Sequence, residues 1–240
     1  MTPSRIGAGS ARTFSGLPGC ALRAVADPSR AVRERLAEAH PGLRLLSDPA
    51  EVLADPAVDA VVVSTPSPTH ARLGVLVLKA GKHLLVEKPL ALSVREAQAL
   101  GRLAKARKRV LMVDHQLEYH PGFAKVAEMV RRGSLGKVLY AYAQRLNLGV
   151  IRTHENALWS LAPHDIAMVL AMFGRMPREV HARGGAYIQR RRQDVVFVDL
   201  VFPDGSMAHL HVSWLDPHKT RRLTVVGSRR MAIFDDMEPV

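Results

Sequence analysis

The sequence is poor in several residue types, and each shortage excludes a class of protein. A single cysteine, Cys20, among 240 residues excludes an internal disulfide framework and a cysteine-based zinc cluster. No apolar run reaches the roughly 18 residues of a transmembrane helix, and the N-terminus lacks the apolar core of a secretory signal. Only 5% of the residues are aromatic, so few rings are available to stack on nucleic-acid bases. A cytoplasmic globular protein is the simplest expectation.

Acidic residues are also scarce, and this leaves the chain strongly basic. The sequence has 22 Asp and Glu against 34 Lys and Arg, a net charge of +12. The basic residues form short clusters, at 107–109, 131–132, 190–192, 221–222 and 229–230. Solvated surface charge is the simplest interpretation; attraction to phosphate-bearing small molecules and nucleic-acid binding are the alternatives.

Strand and helix signals alternate in the first half of the chain. Apolar periodicity predicts helices at 29–40, 69–81 and 93–107, the last with a capping box of Ser93 and Glu96. Continuous apolar runs predict strands, at 20–27, 58–66, 82–89 and 109–115. This alternation indicates a parallel sheet with helices on both faces, over residues 1–118.

The second half changes character and is predicted to be a separate domain, 119–240. Helical spacing appears at 122–133 and 155–174, and the hairpin signal Pro203-Asp204-Gly205 separates two strand patterns. Strands are expected at 137–146, 178–188, 194–202, 206–215, 222–228 and 231–236. We expect a mainly antiparallel, open sheet with one face covered.

The first glycine-rich segment begins like a dinucleotide-binding fingerprint. Gly7 and Gly9 match the first two glycines of G-x-G-x-x-G, but Arg12 stands at the third position. Ile6 is the one clear strand residue before Gly7, and breakers at 16–19 limit the following helix to two turns. A shortened first βα unit is therefore expected.

Three later motifs together carry a family resemblance. "VDAVVVSTPSPTH", "AGKHLLVEKPLALS" and "LAPHDI", in that order, resemble the Gfo/Idh/MocA family of NAD(P)-dependent oxidoreductases. The resemblance implies an N-terminal Rossmann domain and a C-terminal open sheet whose outer face often makes homo-oligomer contacts. Family members usually continue well past the position of Val240, so the C-terminal domain is expected to be shortened. The stretch "QRLNLGVIRTHENALWSLAPHD" is most similar to members that act on free or nucleotide-linked sugars.

Two residues are the catalytic candidates that this resemblance implies. Lys88 matches the family lysine that hydrogen-bonds the reacting hydroxyl, and a cation there would stabilise a developing alkoxide. The peptide before Pro89 can be cis in the family. His164 matches the general base, and imidazole titrates near pH ~6.5. Ser160 stands where related sequences often carry an aspartate. The alternatives are a solvated lysine before a turn and a histidine satisfied within its helix.

Cofactor and substrate contacts are assigned from the same resemblance. NAD or NADP is the expected cofactor, and Asp27 slightly favours NAD because a carboxylate repels a 2′-phosphate. The other expected cofactor contacts are Gly7, Gly9, Ser64, Thr65, Pro66, His70, Glu87 and Lys88. Substrate contacts are expected at Lys88, Tyr119, Arg145, Asn147 and His164, with scattered surface polarity as the alternative. His209 and His211 alternate on one strand, but no further ligand accompanies them and no metal is expected.

Two hypotheses of different classes follow. The first is an oxidoreductase that transfers a hydride between a nicotinamide cofactor and a hydroxyl-bearing carbon of a sugar or nucleotide-sugar. The second is a catalytically impaired relative that keeps the fold and acts as a binding or interaction protein. A basic nucleic-acid-binding module ranks third. The glycine-rich segment decides between the first two, because it controls cofactor affinity.

Overall fold

The computed structural model describes residues 5–149, 151–152 and 155–238. The chain divides into two compact units between Asp114 and His115, just before the expected boundary at 118. The elements of unit 1 are α1 (Arg5–Ser15), β1 (Ala24–Ala26), α2 (Arg30–Ala39), β2 (Arg44–Leu46), α3 (Pro49–Ala54), β3 (Ala60–Val63), α4 (His70–Lys79), β4 (His83–Val86), α5 (Val94–Ala106) and β5 (Leu111–Val113).

Unit 1 contains two separate parallel sheets. β1 pairs with β2, and β3, β4 and β5 pair in that order. The predicted parallel arrangement is confirmed. Sequence periodicity missed β2 and α3, which are short, although Asp48 and Pro49 form a recognisable helix start. The Asp48 carboxylate accepts from the Ala50 amide, and Pro49 occupies the first turn, where a missing N–H is harmless.

Two helices of unit 1, α2 and α5, begin at side-chain caps that the sequence predicts. Ser29 accepts a hydrogen bond from the Val32 amide at the start of α2. Ser93 accepts from the Glu96 amide (3.2 Å) and donates to the Glu96 carboxylate (2.9 Å). The predicted capping box is therefore present and satisfies donors that the first helical turn leaves unpaired.

The glycine-rich segment differs from its prediction. Residues 5–15 are one helix of 11 residues, so Gly7, Gly9 and Arg12 lie within α1 and not in a strand-to-helix turn. The helix is about three turns long because it includes Gly7 and Gly9, and it ends at Ser15, directly before the predicted breakers at 16–19. A tertiary contact explains the longer helix, because Ala11 is only 3% exposed and packs in a cluster with Val32 and Leu36 of α2. Gly16, Pro18 and Gly19 follow the last helical residue, Ser15, and end the helix.

A larger apolar cluster lies against the three-stranded sheet. Val63, Leu84 and Val86 come from the strands and pack with Leu78 of α4 and Leu100 of α5. A Cβ on Gly74 would approach Leu100 and Leu84 to within 3.0 and 3.1 Å. Glycine therefore allows α4 to sit close to β4 and to α5.

Unit 2 is built on one six-stranded sheet. Its helices are α6 (Pro121–Arg131) and α7 (Ala157–Phe173), and its strands are β6 (Val138–Leu146), β7 (Glu179–Gly185), β8 (Val195–Val201), β9 (Met207–Ser213), β10 (Thr220–Gly227) and β11 (Met231–Asp235). The order is β11-β10-β6-β9-β8-β7, with every pair antiparallel except β6 and β9. The predicted mainly antiparallel sheet is confirmed.

One face of this sheet is covered and the other is open. Along β8, Val196, Val198 and Leu200 are buried on the face that packs against α7, whereas Phe197 is 41% exposed on the other face. This alternation is what a sheet with one core face requires. Further exposed side chains share the outer face with Phe197: Tyr140, Tyr142, Met207 and Ile233.

Candidate cofactor and substrate sites

Two loops of unit 1 leave neighbouring parallel strands side by side. Val63 ends β3 and Val86 ends β4, and these two residues are register partners. Ser64-Thr65-Pro66 follows the first strand and Glu87-Lys88-Pro89 follows the second, with a cis peptide between Lys88 and Pro89. Carboxyl ends of parallel strands are where open α/β sheets bind ligands. The predicted loops are therefore adjacent at the ligand-binding edge.

His70 connects these two loops from inside the protein. Its ring is 1% exposed, with Nδ1 2.7 Å from the Pro89 carbonyl oxygen and Nε2 2.7 Å from the Thr65 carbonyl oxygen. A carbonyl oxygen only accepts, so the neutral ring can donate to one loop and the protonated ring to both. The structure thus places His70 as a positioning residue for the loops that bear Thr65 and Lys88.

The loop after β3 also contacts α1. The hydroxyl oxygens of Ser64 and Ser10 lie 3.2 Å apart, and those of Thr65 and Thr69 lie 2.6 Å apart. Thr65 and Pro66 are exposed. The loop therefore presents an open surface while its buried side is tied to neighbouring helices.

A second carboxyl group lies beside Glu87, and sequence reasoning missed it. Val86 pairs with Val113, so Glu87 and Asp114 follow adjacent strands, and the Asp114 amide donates to the Val86 carbonyl (2.9 Å). The Asp114 carboxyl group is close enough to influence the ionisation of Glu87. Burial and the Asp114 charge raise the pKa of Glu87, and the Lys88 ammonium opposes this rise. The signal was available, because Asp114 follows β5 as Glu87 follows β4.

Asp27 lies at the end of β1, half-buried. One of its carboxylate oxygens accepts from the Ser29 amide (2.8 Å). Two nearby arginines that could attract a 2′-phosphate have protein partners: Arg30 pairs with Glu34 (2.7 Å) and Arg33 donates to the Asp27 carbonyl (2.7 Å). The carboxylate therefore suits a ribose with free hydroxyls.

The donor groups that follow the strands of unit 1 fit a dinucleotide in most of its parts. Asp27 suits the adenosine ribose, the hydroxyl-bearing loop after β3 suits polar cofactor atoms, and Lys88 suits the reacting end. The described part of α1 begins at Arg5. Gly7 and Gly9 contribute backbone to this helix and form no glycine turn.

In unit 2, α7 positions the candidate base. Asn156 caps the helix by accepting from the Trp159 amide (3.1 Å), and Gly174, at φ 63°, ends it. Pro163 lies inside the helix, directly before the half-buried His164. Ser160, one turn earlier, is 7% exposed.

Arg145 is engaged in a buried ion pair beside the candidate base. Its guanidinium donates twice to Asp165, from β6 to α7, with both distances 2.9 Å and side-chain exposures of 7% and 3%. Burial raises the pKa of Asp165, whereas the Arg145 guanidinium opposes this rise and holds the carboxylate as an ion pair. We expected Arg145 to contact substrate; its geometry is that of a residue that fixes α7 and thereby His164.

The remaining expected substrate contacts are spread over unit 2. Tyr119 is 71% exposed in a short 3-10 turn, and the Asn147 amide donates to the Ser213 carbonyl (3.1 Å) at the end of β6. His209 pairs with Asp199 (2.7 Å) and His211 stacks on Phe197. Among the described residues, no cluster of three or more His, Cys, Asp or Glu could hold a metal ion. In the same part of the chain, no helix is both long and apolar enough to cross a membrane.

A parallel-sheet unit with ligand loops at its strand ends, followed by an open sheet, is the architecture of a Rossmann-type dinucleotide-binding domain with a second, mainly antiparallel domain. The chain belongs to the Gfo/Idh/MocA family, as its motifs indicated. Residues 4–115 match the model described as "Oxidoreductase family, NAD-binding Rossmann fold". Residues 123–233 match the "GFO/IDH/MocA C-terminal domain".

Individual relatives cover nearly the whole chain. The UDP-N-acetylglucosamine 3-dehydrogenase of Acidithiobacillus ferrooxidans is 29% identical over 98% of this chain and 74% of its own. The myo-inositol 2-dehydrogenase of Thermotoga maritima is 27% identical over 97% of this chain and 73% of its own length. The crystal structure of GenD2 from gentamicin A biosynthesis, in complex with NAD, is 29% identical and covers 94% and 68%, with a TM-score of 0.88. These relatives support NAD as the cofactor of the family to which this chain belongs.

Proposed function

We propose that this chain is an NAD(P)-dependent dehydrogenase that acts on a CH–OH group of a sugar or nucleotide-sugar. The observation that carries the proposal is the placement of Lys88. It directly follows β4, and His70 holds the carbonyl of Pro89 against the loop after β3. A cation at this position faces the ligand-binding edge of the sheet.

Each candidate residue has a definite chemical task. The Lys88 ammonium donates a hydrogen bond to the reacting hydroxyl and stabilises negative charge on its oxygen. His164 accepts the hydroxyl proton, and the Arg145–Asp165 pair fixes the helix that carries it. Bound NAD(P) would supply a nicotinamide ring that exchanges a hydride with the substrate carbon. Burial and the Asp114 charge raise the pKa of Glu87, which lies directly before Lys88.

The substrate class and the roles of the two units belong to the same proposal. Similarity to a UDP-N-acetylglucosamine 3-dehydrogenase and a myo-inositol 2-dehydrogenase supports a polyhydroxylated substrate. We assign cofactor binding to unit 1 and substrate binding to unit 2, in a cytoplasmic enzyme. The exposed outer face around Phe197 would mediate homo-oligomerisation, because large exposed apolar side chains favour association. Light scattering of the purified protein tests this, and a monomeric mass over a wide concentration range would contradict it.

A fluorescence titration with NADH tests the function directly. We expect saturable but weak binding, because β1–β2 and β3–β5 are separate sheets in residues 5–114 and Gly7 and Gly9 lie inside α1 rather than in a turn. Lys88→Ala should lower kcat roughly 10²- to 10³-fold, as for loss of other donors to a developing oxyanion. Lys79→Ala, in the exposed last turn of α4, is the control and should leave kcat unchanged.

The outcome also decides between the two hypotheses. No saturable signal at millimolar NADH would leave the second candidate, a relative that keeps the fold without catalysing hydride transfer. Saturable binding with equal turnover in Lys88→Ala and the parent protein would refute the role of Lys88 while leaving the cofactor assignment intact.

A further inference from the structure

The hairpin between β7 and β8 carries three consecutive arginines, and we call residues 186–194 the arginine loop. Arg190, Arg191 and Arg192 are all exposed. In the described part of the chain, none of them lies within ion-pair distance of a carboxylate. The nearby Arg152 is also exposed, and Glu155 is its partner at 3.3 Å. The loop therefore concentrates cationic charge in a chain that already has a net charge of +12.

The tip of the loop is a tight turn. The Arg192 amide donates to the Gln189 carbonyl (3.2 Å), and the Arg192 guanidinium donates to the Gln189 side-chain oxygen (3.0 Å). Arg191 has φ 67°, in the region that favours glycine. A large charged residue thus occupies a position where glycine would be conformationally easier, and its side chain is the part that a ligand could use.

The base of the loop is anchored by buried groups. Asp194, 0% exposed, accepts from the amides of Tyr187 (2.6 Å) and Ile188 (2.8 Å). A Cβ on Gly185 would overlap the Tyr187 ring, so glycine allows this ring to lie over the strand. The ring is 75% exposed. The arginines and an open aromatic face are therefore presented by one firmly held hairpin.

The loop is attached to the first turn of the helix that bears His164. The Ala157 amide donates to the Gln193 carbonyl (2.9 Å), and the Asn156 side chain donates to the Gln193 side-chain oxygen (2.9 Å). Ala157 and His164 are seven residues apart, so they share a helical face about 10 Å apart along the axis.

We propose that the arginine loop binds the diphosphate of a nucleoside-diphosphate sugar, with the sugar directed along α7 toward His164. This specifies the substrate of the proposed dehydrogenase and rests on that function for the role of His164. Guanidinium groups recognise phosphate oxygens in bidentate geometry, and an exposed phenol ring offers a stacking surface for a nucleobase. Arg145, by contrast, lies buried with Asp165.

Calorimetric titration of the full chain with UDP, without NAD, tests the proposal. The test variant is Arg190→Ala/Arg191→Gly, because glycine removes the guanidinium and suits φ 67° at that position. Loss of two charge-assisted contacts should weaken UDP binding at least about ten-fold without lowering the melting temperature. Unchanged affinity, or no UDP binding by the parent protein, would overturn the proposal.

A matched control separates specific recognition from general charge attraction. Arg229→Ala/Arg230→Ala removes two exposed arginines from the turn before β11, at the opposite edge of the sheet from β7. This variant should bind UDP with the same affinity as the parent protein. Uridine should bind weakly, and with equal affinity to the parent protein and to both variants. Equal weakening by both double variants would refute a specific site.

The same variants distinguish this proposal from the proposed function. UDP binding with no NADH signal would contradict the dehydrogenase and leave the arginine loop as a nucleotide site. If Arg190→Ala/Arg191→Gly weakened NADH binding and left UDP binding intact, the loop would serve the cofactor and the proposal would be wrong.

Discussion

The two units of this molecule use β-sheet in opposite ways. Unit 1 has two small parallel sheets with separate apolar clusters, whereas unit 2 has one six-stranded sheet with one large cluster. In the usual Rossmann order 3-2-1-4-5-6, the first strand joins the two halves of the sheet. Within residues 5–114, α1 makes this connection, through Ala11 in the smaller cluster and the Ser10–Ser64 contact.

This difference has a consequence for stability and for chemistry. A continuous core unfolds cooperatively, whereas a small cluster with few contacts opens locally. The cofactor-facing groups of unit 1 stand on loops, and the candidate base of unit 2 stands on a helix fixed by a buried ion pair. We therefore expect unit 1 to be the more easily perturbed of the two.

The largest expected effect concerns unit 2 and its buried Arg145–Asp165 ion pair. Arg145→Ala leaves Asp165 as an uncompensated buried charge and should lower the free energy of unfolding by about 3 to 5 kcal/mol. Urea denaturation measures this change. Arg222→Ala is the control, because Arg222 forms its ion pair with Asp235 while its side chain is 47% exposed. The free energy of unfolding should change by less than about 1 kcal/mol in this variant. Similar losses in both variants would show that the buried pair has no special role.

A smaller effect is expected in unit 1, at its smaller apolar cluster. Leu36→Ala removes one of the three buried residues of the smaller cluster and should cost about 2 to 3 kcal/mol. Because α2 packs on β1 and β2, hydrogen exchange should accelerate in those strands and remain slow in β6 and β9. The exposed Leu76→Ala serves as the matched substitution and should change neither quantity. Uniform acceleration in both units would contradict local opening.

The smallest expected effect concerns pH. The pKa of Glu87 is raised above 4.5 by burial and by Asp114, so the folded state binds this proton more tightly than the unfolded state. Its contribution is therefore present below pH 4.5 and is lost as pH rises through the raised pKa. Glu87→Gln should flatten this decline of the melting temperature toward neutral pH.

Glu128 in α6 supplies the opposite case. Lys125 and Arg132 lower its pKa, so its stabilising contribution is present at neutral pH and is lost as pH falls through the lowered pKa. Glu128→Gln should slightly lower the melting temperature at neutral pH.

A pH profile of Glu87→Gln identical to that of the parent protein would refute the carboxyl pair.

Local sequence signals were most successful where elements are long or capped. The capping box at Ser93, the helix over 157–173 and the turn at Gly205 follow from local chemistry. The failure at Gly7 and Gly9 has a physical reason: glycines are common in phosphate loops, but a helix tolerates them when tertiary burial of a neighbour such as Ala11 stabilises it. The motif suggested a loop, and the packing produced a helix.

The sequence by itself determined the family, the order of the elements, and the identity of Lys88 and His164 as candidates, because these depend on local motifs and spacing. Tertiary structure alone decided which residues distant in the sequence contact one another around these candidates. Burial joined Arg145 to Asp165, strand register brought Asp114 beside Glu87, and hairpin packing attached the arginine loop to α7. Pairing between distant residues depends on register and on desolvation, which a local pattern does not contain.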